Sequence, residues 1–303
     1  MVIFIILSLL IVALLFITNY AYKLCKIVVY PKRKDYESGY KNQIERLKLE
    51  SFYDNLEKED IIIKSTYGYD LKGIFIPNKN SKKCIILCHG ITANINYSVK
   101  YIKPFYLSGF SIFMYDHRNH GLSGGNYTSM GYFEKYDLKT CSDFLFDKLG
   151  SDITLGVFGE SMGAGTVLQY CAIDKRISFC IEDCGYSNVF ELFKCRLKND
   201  YNLNFPPLLY LADIIMRIKY HWNFNAASPI KYIEDIEIPI LFIHGDEDDY
   251  VPTSMVYDLY NSKTKGIKDI YIAKGAKHAD ALLSNPSKYN DVICKFLNKI
   301  NLS

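Results

Sequence analysis

The sequence predicts an α/β fold, in which a mainly parallel β-sheet has helices on both faces and is preceded by one apolar helix. Three observations predict this fold. Apolar runs of strand length recur after residue 60, helical patterns separate most of them, and the first 17 residues carry no charge. Strands that alternate with helices indicate parallel pairing, because a parallel connection needs a long crossover that is usually a helix.

The composition limits the class of protein. With 303 residues, the chain is long enough for one large domain plus a short extra segment, or for two small domains. The net charge of +3 is spread along the chain, so we expect no nucleic-acid partner. The nine cysteines form no C-x-x-C pair, which predicts buried free thiols in a reducing compartment rather than a zinc or redox site.

The N-terminal segment has the length and composition of a transmembrane anchor. Residues 1–17 are apolar except for Ser8, and the stretch through Tyr22 reaches the roughly 20 residues that cross a bilayer as a helix. A cleaved signal peptide needs a basic region before the apolar run and small residues at a cleavage site, and this sequence has neither. We therefore expect residues 1–22 to be a single membrane span.

The charge around that span predicts its orientation. Basic residues follow the span and none precedes it, so the positive-inside bias places the rest of the chain in the cytoplasm. Residues 23–58 are then a basic flank and a linker helix, and residues 59–303 are the compact domain. The basic residues closest to the span are Lys23, Lys26, Lys32, Arg33 and Lys34.

The apolar runs give the order of the strands. The first two form a hairpin, and most later runs end beside polar or glycine residues. Ligands of such sheets bind beyond the carboxyl ends of the strands, so the residues that follow each strand are the candidates for a site. The predicted strands are 61–66, 71–77, 84–88, 110–115, 153–158, 179–182, 240–243 and 269–272, and the clearest helices are 133–148, 162–171, 254–261 and 289–300.

Ser161 has the sequence context of a nucleophile. Strand 153–158 leads into the motif G-E-S-M-G, and a helical pattern begins at Met162. A G-x-S-x-G motif between a strand and a helix places its serine on a sharp turn that exposes the hydroxyl, and the glycines allow the close packing of that turn. The alternative is a glycine-rich turn with an incidental serine. The position between strand and helix favours Ser161 as a nucleophile.

A serine hydroxyl is a weak nucleophile and needs a base. His278 lies after the last predicted strand and before the final helix, where the base belongs in the chain order serine, acid, histidine. The alternative is an exposed loop histidine. We predict that His278 is the base.

The base in turn needs an acid that orients it. Four adjacent acids, at 246–249, follow the strand before the last, and spacing alone leaves the choice ambiguous. Asp248 is preferred because Val251 and Pro252 then start the next helix at a fixed offset, and Asp246 is the second choice.

Acyl transfer also requires two N–H donors that face the developing negative oxygen. The backbone amide of Met162 is one candidate, and the amide of Ile91, after Gly90, is the other. The polar segment 116–125 contains two histidines and an aspartate, but no further ligand cluster accompanies it. We therefore expect a hydrogen-bonded loop there, with Arg118 in a scaffold role, and no metal or organic cofactor.

Four segments resemble motifs of the α/β-hydrolase superfamily and occur in the same order. They are C-H-G-I, D-H-R-N-H-G-L-S-G-G, G-E-S-M-G, and H-G-D-E-D-D-Y-V-P followed by G-A-K-H-A. Within this superfamily, the chain is similar to the serine aminopeptidase/monoacylglycerol-lipase-like branch, and there to bacterial membrane-tethered hydrolases. The resemblance implies an eight-stranded sheet with a lid after the sixth strand, and it implies Asp248 as the acid. The sequence departs from the family at Asn119 and Lys277, where glycine is usual.

Residues 187–228 fit poorly as one strand–helix unit, and we predict a small helical lid there. Its apolar face is a candidate for lining an acyl pocket, with Phe205, Leu208 and Trp222 as substrate contacts. The alternative is that this face packs on the core. An apolar lid beside a membrane anchor suggests a lipid-like or acylated small-molecule substrate.

These features predict an enzyme that hydrolyses an ester or thioester through an acyl-enzyme intermediate. Cleavage of an amide or peptide by the same three residues remains open, because both reactions use the same base and oxyanion donors. A catalytically silent binding protein is less favoured, since the set Ser161, Asp248 and His278 is complete. A serine at position 161, on the turn between the strand and the helix, argues against an aspartate nucleophile of the dehalogenase type.

Overall fold

The computed structural model describes residues 1–79 and 81–302. Within them, the chain forms one eight-stranded sheet in the order β1-β2-β4-β3-β5-β6-β7-β8, which confirms the predicted α/β-hydrolase architecture. Strand β2 is antiparallel to β1 and to β4, and the other five strand pairs are parallel. The strands are Glu59–Lys64 (β1), Asp70–Ile76 (β2), Lys83–Cys88 (β3), Ser111–Tyr115 (β4), Thr154–Glu160 (β5), Ile177–Asp183 (β6), Ile240–Gly245 (β7) and Lys268–Ala273 (β8).

The predicted helices are present with small shifts at their ends. The last one begins at Pro286 rather than at 289, because the Asn285 side chain accepts a hydrogen bond from the Lys288 amide and a proline occupies the first helical position. The helices are Val2–Val29 (α1), Tyr36–Tyr40 (α2), Glu50–Tyr53 (α3), Ile102–Leu107 (α4), Glu134–Leu149 (α5), Met162–Cys171 (α6), Val189–Tyr201 (α7), Pro206–Tyr220 (α8), Ser254–Ser262 (α9), Ala281–Ser284 (α10) and Pro286–Lys299 (α11).

Both faces of the sheet are buried, which explains why its strands read as continuous apolar runs. In β3, Cys84 and Ile86 belong to one core cluster, and Ile85 and Leu87 belong to the other. Successive side chains of a strand point to opposite faces, so the two clusters lie on opposite sides of the sheet. The carboxyl ends of the central strands meet at one edge, where the candidate site lies.

Helix α1 has two parts. Every residue from 1 to 16 is exposed, and the helix is long and apolar enough to cross a membrane. The helix then continues past the predicted end at residue 22, and its second part packs against α8. Ala21, Cys25 and Val29, four residues apart on one helix face, are buried there.

The segment predicted as a linker packs on the domain. It contains α2, one turn of π-helix at Lys41–Glu45, and α3, and it places Ile44 and Tyr53 in the second core cluster. The segment predicted as a lid is helical: α7 and α8 lie in it, between β6 and β7.

Candidate active site

Ser161 sits on a strained turn between β5 and α6. Its backbone adopts φ 57° and ψ −114°, a conformation that costs a non-glycine residue roughly 1–3 kcal/mol. No larger residue fits at the neighbouring glycines. A Cβ on Gly159 would lie 2.2 Å from the Gly163 carbonyl oxygen, and a Cβ on Gly163 would lie 2.2 Å from the Cys88 carbonyl oxygen. This packing holds the serine at the start of α6.

The structure brings the three predicted residues Ser161, His278 and Asp248 together in a hydrogen-bonded chain. Ser161 Oγ lies 2.9 Å from His278 Nε2, and His278 Nδ1 lies 2.8 Å from Asp248 Oδ2. An ionised carboxylate only accepts hydrogen bonds, so Nδ1 carries the proton and Nε2 is free to accept one from the serine hydroxyl. This is the arrangement in which a histidine acts as a general base.

The loop after β7 fixes Asp248 as the partner of His278. Its Oδ1 accepts hydrogen bonds from the amides of Tyr250 (2.9 Å) and Val251 (2.8 Å), and its side chain has no exposed surface. Asp246, the second choice, is exposed and accepts a hydrogen bond from the Gly275 amide instead. The sequence spacing left this choice open, and the turn geometry decides which carboxylate meets the histidine.

A second histidine contacts the same carboxylate. His244 Nε2 lies 3.2 Å from Asp248 Oδ2 and 3.0 Å from the Val251 carbonyl oxygen. Burial alone would raise the pKa of Asp248, but hydrogen bonds from His244 and His278 outweigh it and hold the pKa well below its ordinary value. The acid is therefore ionised at neutral pH. Sequence reasoning missed His244, although it lies four residues before Asp248 in the same motif.

Sequence reasoning also missed a buried ion pair beside the serine. Lys100 Nζ lies 2.6 Å from Glu160 Oε2, and the Tyr101 hydroxyl donates to the same oxygen at 2.5 Å. Burial would raise the pKa of Glu160, and the Lys100 charge lowers it below its ordinary value. Lys100 also donates to the carbonyl of Ala279, 3.3 Å away, so one side chain connects the turn before Ser161 to the loop after His278.

The two predicted oxyanion donors border the same pocket as the serine. Met162 is the first residue of α6, so its amide has no acceptor within the helix. The amide of Ile91 makes no hydrogen bond within the described residues. Gly90 allows the loop to pass close to the nucleophile, because a Cβ there would lie 3.3 Å from Ser161 Cβ.

Three buried histidines support that loop from below. His89 Nε2 accepts a hydrogen bond from the His117 amide at 3.0 Å, and His120 Nε2 accepts one from the Thr92 amide at 3.3 Å. Burial lowers the pKa of all three rings, so they are neutral at pH 7. The polar segment 116–125 therefore supports the loop around Ile91 through hydrogen bonds, as expected from the sequence.

Arg118 lies inside this scaffold. Its guanidinium carbon lies 4.9–5.4 Å from the centres of four aromatic rings, an arrangement in which cation–π attraction replaces hydration. The rings belong to Tyr67, Tyr69, Tyr127 and Phe133.

A cavity of about 280 Å³ adjoins Ser161. Phe205, Leu208 and Trp222 are not among its lining residues, so this cavity does not support their prediction as substrate contacts. Leu208 and Trp222 are buried in a core cluster that the lid segment itself helps to form, and Phe205 is exposed on the surface. The cavity is lined by Ile27, Val28, Pro31, Lys32, Ile91, Thr92, Met130, Ser161, Met162, Tyr186, Leu192, Phe193, Tyr250 and Val251.

One group of side chains in the described residues has the spacing of metal ligands. Cys184, Asp248 and His278 offer ligand atoms within 4.8 Å of one another. Burial raises the pKa of the Cys184 thiol well above its ordinary value, so the thiolate that binds metals is disfavoured. Asp248 and His278 are already hydrogen-bonded to each other, which fits the proton-transfer set better than a metal centre.

Comparison with known proteins gives the family. The chain is 38% identical to YqkD of Bacillus subtilis (strain 168) over 251 residues, which cover 82% of each protein. The family model described as serine aminopeptidase, S33, matches residues 79–180. The chain belongs to the α/β hydrolases. The S33 model covers about a third of the chain, so its match is a similarity to the serine aminopeptidase branch, which the sequence motifs also resemble.

A membrane protein is among the more distant relatives of this α/β hydrolase, and an esterase is among the solved structures that share its fold. YNL320W of Saccharomyces cerevisiae (strain ATCC 204508 / S288c), described as a membrane protein, is 25% identical over 228 residues, which cover 73% of each chain. The solved structure of the Pyrococcus furiosus esterase Pf2001 superimposes with a TM-score of 0.65 and 24% identity, and the match covers 80% of this chain and 93% of that one. At that identity the likeness supports the fold alone.

Proposed function

We propose that this α/β hydrolase cleaves an ester or thioester of a small acyl substrate through an acyl-enzyme intermediate. The observation that carries the proposal is the hydrogen-bonded chain from Ser161 through His278 to the ionised Asp248. Nucleophilic acyl transfer requires a serine that is hydrogen-bonded to a histidine, and a carboxylate that is ionised at neutral pH and orients that histidine.

Each residue has a defined role in the proposed reaction. His278 Nε2 takes the proton of Ser161 as Oγ attacks the substrate carbonyl, and the amides of Ile91 and Met162 stabilise the oxyanion. His278 then gives that proton to the departing alcohol or thiol. In the second half, His278 takes a proton from water, the hydroxide attacks the acyl-enzyme, and the proton returns to Ser161 as the acid is released.

A second candidate is amide or peptide cleavage by the same residues. The match to the serine aminopeptidase family favours it. The two candidates differ in the leaving group, because an amine must be protonated as it departs whereas an aryl alcohol need not be. Hydrolysis of matched p-nitrophenyl ester and p-nitroanilide substrates separates them.

We further propose that α1 anchors the enzyme in a membrane, with the catalytic domain on the cytoplasmic side. The exposed apolar residues 1–16 and the basic residues that follow the span support this topology. All nine cysteines are free, which suits a reducing compartment. An acyl substrate from the lipid phase would fit such a location.

The test uses the full chain in detergent and a fluorophosphonate probe, which reacts with activated serines. We expect the wild type to be labelled, Ser161→Ala to be unlabelled, and Ser161→Ala to lose ester hydrolysis by about 10⁴-fold or more. Ser108→Ala, at the C-terminal end of α4, is the matched control and should be labelled normally. Labelling of Ser161→Ala equal to wild type, or of neither protein, would contradict the proposal.

A further inference from the structure

Two cavities meet beneath the end of the anchor helix. The cavity at Ser161 has a volume of about 280 Å³, and a second one of about 120 Å³ lies between α1, α7 and α8. Ile27, Val28, Phe193 and Tyr250 line both. Because the two cavities share these lining residues, they adjoin each other, and together they are called the passage that leads away from the nucleophile along α1.

The anchor helix is fixed in place where it borders this passage. The Val29 carbonyl accepts hydrogen bonds from the Thr128 amide at 2.9 Å and from Asn119 Nδ2 at 3.2 Å. Asn119 has φ 58°, the left-handed region that asparagine tolerates. Its side chain therefore helps to hold the C-terminal end of α1.

The lining of the passage is apolar over most of its length. Away from Ser161 it is formed by Leu24 on one side and by Leu209, Met216 and Phe224 on the other. At its far border, Arg196 and Asp200 are paired with each other, since Arg196 Nε lies 3.1 Å from Asp200 Oδ2, and the charged Lys32 lies at the Ser161 end. An unbranched hydrocarbon chain fits an elongated apolar space of this kind, with its ester carbonyl at Ser161.

We propose that the C-terminal turns of α1 form one wall of the acyl-binding passage, with Ile27 and Val28 determining which acyl-chain length is accepted. This inference rests on the proposed function, because the passage binds the acyl part of the substrate that Ser161 attacks. The helix that anchors the protein is then also part of its substrate site.

The location of the passage agrees with a substrate that carries a long chain. The last residue of the fully exposed part of α1 is Phe16, about 16 Å along the helix axis from Ile27. One leaflet of a bilayer has a hydrocarbon depth of about 15 Å. The passage therefore lies within about one acyl-chain length of the segment that would sit in the membrane.

The test is a chain-length series of p-nitrophenyl esters on the full chain in detergent micelles. Each methylene that enters an apolar passage should raise kcat/KM about fourfold, until the chain reaches the end of the passage. Ile27→Trp, at a half-exposed position that tolerates a larger side chain, should end this rise at a shorter chain and lower kcat/KM for longer esters by about tenfold or more. Leu15→Trp, on the exposed part of the same helix, is the matched control and should give the wild-type profile.

Fluorophosphonate labelling separates the two ways of failing. Normal labelling of Ile27→Trp together with a shortened profile supports the inference. Normal labelling together with the wild-type profile overturns the inference and leaves the proposed function standing. Absence of Ser161 labelling in the wild type removes the proposed function, and the inference with it. Val28→Ala provides a second variant, and it should lower kcat/KM about tenfold for long esters only.

The source of the acyl chain is tested with the same variants. Phosphatidylcholine vesicles that carry a fluorogenic acyl ester present the chain from a bilayer, and the p-nitrophenyl esters present it from micelles. If the enzyme turns over the ester in vesicles and Ile27→Trp lowers that turnover, a membrane lipid is assigned as the source of the acyl chain. Turnover of the micellar esters alone, with the same Ile27 dependence, assigns a dissolved acyl compound.

Discussion

Replacement of Asp248 by asparagine gives the sharpest test of the proposed mechanism. The amide has the shape of the carboxylate, but its NH₂ group donates a hydrogen bond to His278 Nδ1, which leaves the proton on Nε2 and removes the base. The lost attraction can be estimated from the 2.8 Å separation of Asp248 Oδ2 and His278 Nδ1. At an effective dielectric constant of about 20, it amounts to about 6 kcal/mol in the transition state, where His278 is charged. That energy corresponds to a decrease of about 10⁴-fold in kcat.

The assay is ester hydrolysis by the full chain, with the rate of fluorophosphonate labelling as a second measure. Asp246→Asn is the matched control, because Asp246 is two residues away, exposed, and bonded to the Gly275 amide. We expect it to change kcat by no more than about twofold, as surface substitutions usually do. Equal losses in the two variants, or a loss for Asp246→Asn alone, would refute the assignment of the acid.

Two further predictions concern stability, measured by urea unfolding with the fluorescence of the single tryptophan. Lys100→Met leaves Glu160 as an unpaired buried charge and should lower the free energy of unfolding by about 3–5 kcal/mol. The control Lys103→Met, on the exposed side of α4, should lower it by about 0.5 kcal/mol or less. A similarly small decrease for both variants would contradict the assignment of a buried ion pair. Burial lowers the pKa of His117 to about 3, so between pH 6.5 and 3 the unfolded chain binds more protons and stability falls as the pH falls. Between pH 7 and pH 5 this residue accounts for about 2 kcal/mol, which His117→Leu should abolish; an unchanged pH dependence would show that the ring protonates in the folded protein.

The sequence predicted the parts of the site whose signals are local. Ser161 is defined by a motif of five residues between a strand and a helix, and His278 by its place between the last strand and the last helix. The acid was harder, because four carboxylates in a row share the same local pattern. The choice of Asp248 depends on two backbone amides, of Tyr250 and Val251, that point into the turn. Spacing gives the offset but not the direction of an N–H group.

The contacts that the sequence did not predict join distant parts of the chain. Lys100 and Glu160 are 60 positions apart, and Lys100 contacts Ala279 across 179 positions. No local pattern distinguishes a lysine that will be buried from one on the surface. The lid residues illustrate the same limit, because an apolar helix face such as that of α8 predicts burial but not the element that covers it. In this protein part of that face is covered by α1.

The two parts of α1 are both apolar, for different reasons. The first part is apolar because lipid would surround it, and the second because it packs on α8 and borders the passage at Ser161. A hydropathy profile does not separate the two parts of α1. On that basis, truncation of the chain after the apolar run would be expected to remove only a membrane span. Such a cut would expose the buried face of α8, including Ala212 and Met216, and would remove one wall of the site. Substrate preferences measured on a domain without α1 would therefore describe a different pocket from that of the intact enzyme.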